Sequence, residues 1–530
     1  MLLLASLVLS AGASAKRGLV TGFADPEEYQ TGDTSQRDLW LDRTVDADAG
    51  IVRLAVEWYS IVGSQRPVDP TNPGSSAYDF SSVDPTVRGA SPRGLKVLLT
   101  VNHAPAWAEG PGRPADAPAG SWRPNPADLA DFTQALAARY SGNFDPDGAG
   151  PQPPLPAAQG IQVWNEPNSS DWIAPQFEGK QIVGGNLYRD MLNASYRAIK
   201  QVNPNMQVVV GGTDPYGDPP GGPYPPNVQR TRPVQFWQQV LCVQGKKVKK
   251  TKKGKKAKQK YVRSKGCPST AMFDVFAHHP IDNTGGGPLR HGPSRFDAST
   301  PDLGRVVDVL RAAERLGTVS PAGKHPVWVT EFWWDSKPPN SVGAPLLTQA
   351  RWIEQSMYLF WKAGASAAIS FQIADSTLRP NEHAGLQAGV YFTDGRPKPS
   401  LTAFRFPFVT SRINRNTLEA WGKSPEAGKL RIQRQQGSRW VTSKKLRVGK
   451  GSVFVTKLRL RGKQKLRATV GGSQSVVWKQ TAGAAHSSGG GSSGPTILLA
   501  LFGGLAVIAA GTALLRRQSQ RRRRPRLATN

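Results

Sequence analysis

The sequence predicts an α/β chain: a (β/α)8 barrel, then a small all-β, sandwich-like region and one C-terminal membrane helix. Three observations predict the barrel. Between residue 18 and about residue 408, eight short apolar runs alternate with segments of helical period. The runs are mostly continuous rather than alternating, as strands buried on both faces require. The chain also lacks the glycine-rich phosphate fingerprint that would favour a doubly wound open sheet. At 530 residues it is too long for one ordinary core, which leaves room for further units.

Taken in order, the strand candidates are 18–23, 51–56, 95–101, 161–164, 207–211, 273–277, 327–330 and 367–371. The helices between them carry start signals and one apolar face. Asn125-Pro126 opens a helix that repeats Leu129, Phe132, Leu136 and Tyr140 on one side. Thr300-Pro301 opens another, with Leu303, Val307 and Leu310. Segment 347–363 carries Trp352, Met357, Tyr358 and Trp361. The barrel is expected to occupy 16–408.

Residues 409–480 change character, to Lys/Arg-rich stretches of alternating polarity such as 430–433, 452–460 and 466–471, the mark of half-buried antiparallel strands. A Gly/Ser linker follows at 481–495. Segment 496–515 is twenty uncharged residues, enough to cross a hydrocarbon core of about 30 Å. The Arg-rich tail 516–530 behind it would then be cytoplasmic. At the other end, 1–15 reads as a signal peptide, an apolar run closed by Ala13-Ser14-Ala15. These features predict a single-pass cell-membrane protein with its body outside the cell.

The formal net charge of +30 is not spread evenly. Residues 246–265 hold twelve Lys/Arg and no acid, 411–480 hold eighteen against two Glu, and 516–526 hold seven Arg. The barrel itself is therefore close to neutral, and the basicity belongs to appendages. Nucleic acid is not expected as a partner, because the material should lie outside the cell and carries no nucleic-acid-binding motif. A solvated charge run and attraction to an anionic cell-surface polymer remain the two readings of these appendages. Only Cys242 and Cys267 are present; outside the cell a disulfide between them would staple the base of the basic insertion at about 242–267.

In a barrel of this type, polar groups at the C-terminal ends of the strands face the active site. Those ends carry Arg53, Asn102-His103, Asn165-Glu166, His278-His279 and Glu331. Glu166 and Glu331 each directly follow an apolar run, a costly place for a carboxylate without a use. They end the fourth and seventh strands, which face each other across a barrel. Their tips can hold two carboxyls about 5 Å apart, the spacing for double displacement at a glycosidic carbon. Trp107, Trp172, Trp333 and Trp334 lie at or beyond strand ends, where indoles stack on the C–H faces of sugar rings. No cofactor is predicted. A metal site is not predicted either, since His103 and His278-His279 lack Cys or clustered acids at ligand spacing.

"WNEPN" at 164–168 and "VTEFWW" at 329–334 resemble clan A of the glycoside hydrolases, closest in look to family 39 and cellulase-like members. "DGRPKPSLTAF" at 394–404 resembles the segment after their eighth strand. The resemblance spans 18 to about 408 and implies a retaining O-glycosyl hydrolase acting on a β-linked glycan. It implies Glu166 as acid/base, Glu331 as nucleophile, Asn165 on the sugar 2-hydroxyl and Arg53 near the nucleophile. His279 falls where relatives show His-Pro-Tyr. The chain departs from that pattern twice: Ile281 stands for the tyrosine, and Phe371-Gln372 for a tryptophan ending the eighth strand. A non-catalytic surface glycan-binding or adhesion protein on a degenerate barrel is the alternative these departures keep open.

Overall fold

A computed structural model describes residues 18–482, apart from 149, 151, 223, 247–259, 283–284 and 378–385. Eight parallel strands form the barrel: β1 Val20–Ala24, β2 Ile51–Glu57, β3 Lys96–Asn102, β4 Gly160–Val163, β5 Gln207–Val210, β6 Phe276–His278, β7 Val327–Phe332 and β8 Ala365–Phe371. Each pairs with its sequence neighbour, and β8 returns to β1 from Val20–Ala367 to Ala24–Phe371. Between β5 and β6 the wall closes through single parallel bridges, Val209 with Val275 and Thr213 with His278.

The expected strand at 273–277 is displaced, because Asp274 enters the wall with its side chain. Its carboxylate accepts from the Val208 backbone N–H at 2.8 Å and pairs with Lys200 at 2.8 Å. Regular pairing with β7 therefore starts only at Phe276.

A helix follows each strand: α1 Thr34–Asp46, α2 Asp84–Ala90, α3 Pro126–Arg139, α4 Gly184–Val202, α5 Pro233–Val240, α6 Leu303–Leu316, α7 Leu346–Ala363 and α8 Pro399–Arg405. The predicted start signals operate. The Asn125 side chain caps α3 by accepting from the Ala127 and Asp128 N–H groups, and Leu129, Phe132, Leu136 and Tyr140 are all buried. A short 3-10 turn at Thr300–Asp302 leads into α6.

Beyond the barrel the chain is all-β. Strands β9 Phe408–Asn414, β10 Thr417–Lys423 and β13 Val453–Arg459 make one antiparallel sheet. The second contains β11 Gly428–Gln436, β12 Arg439–Val448, β14 Gln464–Val470, β15 Ser473–Gln474 and β16 Trp478–Gln480. This region is fixed to the barrel by specific contacts. Lys423 Nζ meets the Asp48 carboxylate at 2.5 Å, and the Tyr358 hydroxyl donates to Glu419 at 2.8 Å. Trp421, fully buried, packs against Tyr358 and Trp361 of α7.

Cys242 and Cys267 are joined by a disulfide, with Cα atoms 5.7 Å apart. They lie beside an antiparallel pair of strands, Val243–Lys246 with Lys260–Arg263, and most of the Lys-rich run lies outside the described residues. The expected signal peptide, the membrane helix at 496–515 and the Arg-rich tail lie outside the described residues. Among the described residues no helix is long and apolar enough to cross a membrane.

Candidate active site

Glu166 stands just past β4 on a backbone that only a held loop tolerates. Trp164 and Glu166 both have positive φ, 75° and 36°, uncommon for residues with a side chain. The indole N–H of buried Trp164 donates to the Trp172 carbonyl at 2.8 Å, and the Ser169 N–H bonds the Glu166 carbonyl at 2.9 Å. Buried Asn168 ties this loop to the next one, accepting from the Asp214 N–H and donating to the carbonyls of Asp214 and Thr231. Gly212 has to be glycine, since a Cβ there would sit 2.2 Å from the His279 ring.

Arg53, from within β2, reaches across the barrel mouth. Its Nη1 donates to Glu331 at 3.0 Å, its Nη2 to Asn165 Oδ1 at 2.6 Å, and its Nε to Thr100 and Gln162, both at 2.9 Å. Burial lowers the Arg53 pKa, while the Glu331 charge works the other way. His279 lies between the two acids, its Nδ1 3.1 Å from Glu166 and 3.8 Å from Glu331. One ligating atom from each of Glu166, His279 and Glu331 lies within 4.8 Å of the other two.

A chain of hydrogen bonds runs from Arg53 to both nitrogens of His279. Arginine only donates, so the Gln162 carbonyl oxygen must face Arg53. Its amide N–H groups then donate to the Val210 carbonyl and to Thr330 Oγ1, both at 3.0 Å. Thr330 Oγ1 also lies 3.0 Å from His279 Nε2, where its hydroxyl proton can be donated. With Thr330 donating to Nε2, Nδ1 carries an N–H aimed at Glu166; in the other tautomer Nε2 donates to the second lone pair of Thr330, and Nδ1 accepts from the Glu166 carboxyl. Full burial pushes the His279 pKa down to about 3, keeping the ring neutral.

Glu166 is pushed the other way, up to about 8. Desolvation is the main cause, followed by the negative charges of Asp214 and Asp171. Arg53 and the indole N–H of Trp172, which makes no close hydrogen bond, lower it by less. One carboxyl of the pair therefore keeps its proton at neutral pH, and the other is bound to a guanidinium.

The structure thus brings together five residues picked out from the sequence: Arg53, Asn165, Glu166, His279 and Glu331. His103 and Trp172 adjoin them, their rings 4.5 Å apart. Trp107 packs edge-on against buried Trp58, and Trp333 is half-buried. Trp334 is a correction. It is 4% exposed, donates to Ser356 of α7 and packs on Trp352, so its indole is not available to a sugar ring. Ile281 is buried and brings no hydroxyl to Glu331.

Thr100, Gln162, Thr330 and Asp214 escaped the sequence reading. The first three are polar residues inside apolar strand runs, and that interruption was their signal. Asp214 follows β5 in a loop with no such mark.

No family model matches the chain, and no curated protein matches it. Solved structures that it resembles include a family 39 glycoside hydrolase from the gut symbiont Bacteroides cellulosilyticus WH2, at 16% identity over 84% of this chain and 81% of that one, TM-score 0.49. A glucosidase from Croceicoccus marinus is 14% identical over 82% and 81%, TM-score 0.45. GH5_18 from Streptomyces cattleya, in complex with GlcNAc, is 15% identical over 74% and 80%, TM-score 0.45. Likeness at this level leaves the functional conclusion to the geometry of the site itself.

Proposed function

We propose that the protein is a retaining O-glycosyl hydrolase that cleaves a β-linked glycan by double displacement. The observation that carries this is the split carboxyl pair, with Glu166 holding a proton to about pH 8 and Glu331 on the Arg53 guanidinium, at the separation given by the 4.8 Å cluster. Retaining glycosidases need two carboxyls about 5 Å apart with opposite protonation.

In this reading Glu331, as carboxylate, attacks the anomeric carbon while Glu166 protonates the departing oxygen. A covalent glycosyl-enzyme results, and the leaving sugar carries away the proton of Glu166. Glu166, now ionised, takes a proton from water as that water attacks the anomeric carbon and frees Glu331. Asn165, fixed by Arg53, is placed to bond the 2-hydroxyl, with Trp172 beside it as a sugar platform. The apolar segments at 1–15 and 496–515, read from the sequence, support an extracellular, membrane-tethered enzyme.

The test is turnover of a panel of aryl β-glycosides. Wild type should release aryl alcohol, Glu331→Gln should not, and a 2-deoxy-2-fluoro glycoside should add its mass to the peptide holding Glu331. Glu166→Gln should lose about 100-fold or more on poor leaving groups but far less on dinitrophenyl substrates, which depart without protonation. Equal release by wild type and Glu331→Gln rules out the nucleophile. Buried Ile281, in place of a hydroxyl, favours a second reading as a glycan-binding protein. Glycan binding that survives loss of both glutamates, with no turnover on the panel, would support that one.

A further inference from the structure

The five-stranded sheet of the C-terminal region carries a row of charges that the catalytic site does not explain. On β11 and β14 the buried residues are Leu430, Ile432, Leu466, Ala468 and Val470, so the alternate positions face outward. Three directly opposed pairs in this sheet are like-charged: Lys429 with Arg447, Arg431 with Lys445, and Lys465 with Lys479. None of the five strands contains an Asp or Glu. Like charges placed opposite one another destabilise a sheet, and a fold with no use for them would put a neutral or acidic residue on one side.

The same face presents more than charge. Arg467 is held in one orientation: its guanidinium lies over the Trp440 ring at 4.2 Å, its Nε donates to Gln433 at 2.8 Å and its Nη1 to Gln474 at 2.6 Å. A pinned planar fork is built for bidentate contact with a carboxylate, whereas a lysine serves as a point charge. At the end of the sheet, a cleft of about 490 Å³ is lined by Lys463, Lys465, Lys479 and Gln435, and also by Gln464 and Gln480, which alternate to the other face and bond Arg461, Thr410 and Thr481. Its volume suits a few sugar units, and amides beside ammonium groups match hydroxyls beside carboxylates.

We propose that this outward face is an ancillary binding surface for an acidic, carboxylate-bearing polysaccharide, separate from the barrel site. A uronate chain laid along the sheet would put carboxylates between the opposed cations and its hydroxyls on the glutamines. The phosphate of a lipid or a nucleic acid would meet the same guanidinium, so vesicles and DNA serve as the competing probes.

The experiment uses the full chain with Glu331→Gln, so that any polymer stays intact, and measures binding of polygalacturonate oligomers at about 0.15 M salt, where screening is strong. Neutral β-glucan oligomers, anionic phosphatidylglycerol vesicles and single-stranded DNA are the comparison probes. The oligogalacturonate should bind at least tenfold tighter than the neutral oligomer. Lys465→Gln with Lys479→Gln should weaken it about tenfold or more, as should Arg467→Gln. The double variant should melt no lower than its parent, because a repulsive pair has been removed, so the loss cannot be put down to unfolding. The Lys-rich run at 247–259 remains in every variant and contributes equally to each. Unchanged affinity in both variants overturns the proposal. So does equal affinity for vesicles or DNA with the same dependence on these lysines, which would mark a general cationic surface.

Discussion

His279 Nδ1 lies 3.1 Å from Glu166 Oε1, and its Nε2 lies 3.0 Å from Thr330 Oγ1 at the end of the chain of hydrogen bonds that begins at Arg53. A general acid must give its proton to the substrate, and a neighbouring histidine with a free lone pair would compete for it. In the tautomer with its proton on Nδ1, His279 donates to Glu166 and leaves the acid's own proton free for the departing oxygen, and this is the tautomer the proposed mechanism requires. Thr330 is the positioning residue behind this arrangement. Thr330→Val removes the donor to Nε2 and lets the ring adopt the other tautomer, with its lone pair towards Glu166. The kcat should fall about tenfold or more and the alkaline limb should move up, while Thr330→Ser keeps both near wild type. Nitrogen-15 shifts of the His279 ring check the tautomer independently of turnover.

The alkaline limb of activity should lie near pH 8, where Glu166 loses its proton. Desolvation raises that value most, and Asp214 is the largest charge acting on it. Asp214→Asn keeps the shape and removes the charge, so the limb should shift to lower pH while the acid limb stays in place. A pH–rate profile of kcat/KM on an aryl glycoside measures both. An unmoved alkaline limb in Asp214→Asn would mean that another group limits the rate there.

Glu166 also links stability to pH. Its native pKa of about 8 lies well above the ordinary glutamate value of about 4.5. Between those values the native state holds a proton that the unfolded chain has released. The contribution is fully present below about pH 4.5 and is lost as pH rises through about 8, by up to ~1.4 kcal/mol per pH unit. Glu166→Gln removes this linkage. Its melting temperature relative to wild type should therefore climb from pH 5 to pH 8 and then level off. A difference constant over that range would contradict the raised pKa.

The barrel was legible because its strands are buried on both faces and read as continuous apolar runs, and seven of the eight both begin and end within two residues of expectation. The sixth was misplaced because Asp274 satisfies the wall with a side chain, which no period of hydrophobicity records. Glu166 and Glu331 were legible for the opposite reason: a carboxylate ending an apolar run is costly and so conspicuous. Gln162 and Thr330 were passed over as part of the apolar runs that contain them, although their hydrogen bonds orient the site. Trp334 was misjudged because it lies two residues past the end of β7, where strand alternation no longer sets direction, and only the fold shows that its indole turns towards α7.

The loop after β8 offers a stability prediction from one buried pair. Lys398 Nζ lies 2.5 Å from the Asp375 carboxylate, with both side chains fully buried, and it also bonds Ser336 and the Gln387 carbonyl. Burial pushes Asp375 up to about 6 and lowers Lys398, so desolvation outweighs the mutual attraction for each. The pair is then a poor source of net stability, but each charge depends on the other. Lys398→Met should cost about 3 kcal/mol, because it leaves Asp375 buried beside Asp335 without its cation. Adding Asp375→Asn should recover much of that loss, so the two changes together cost less than Lys398→Met alone. Urea unfolding at pH 7 of the two single variants and the double variant gives the coupling. Additive losses would mean that the two groups do not depend on each other.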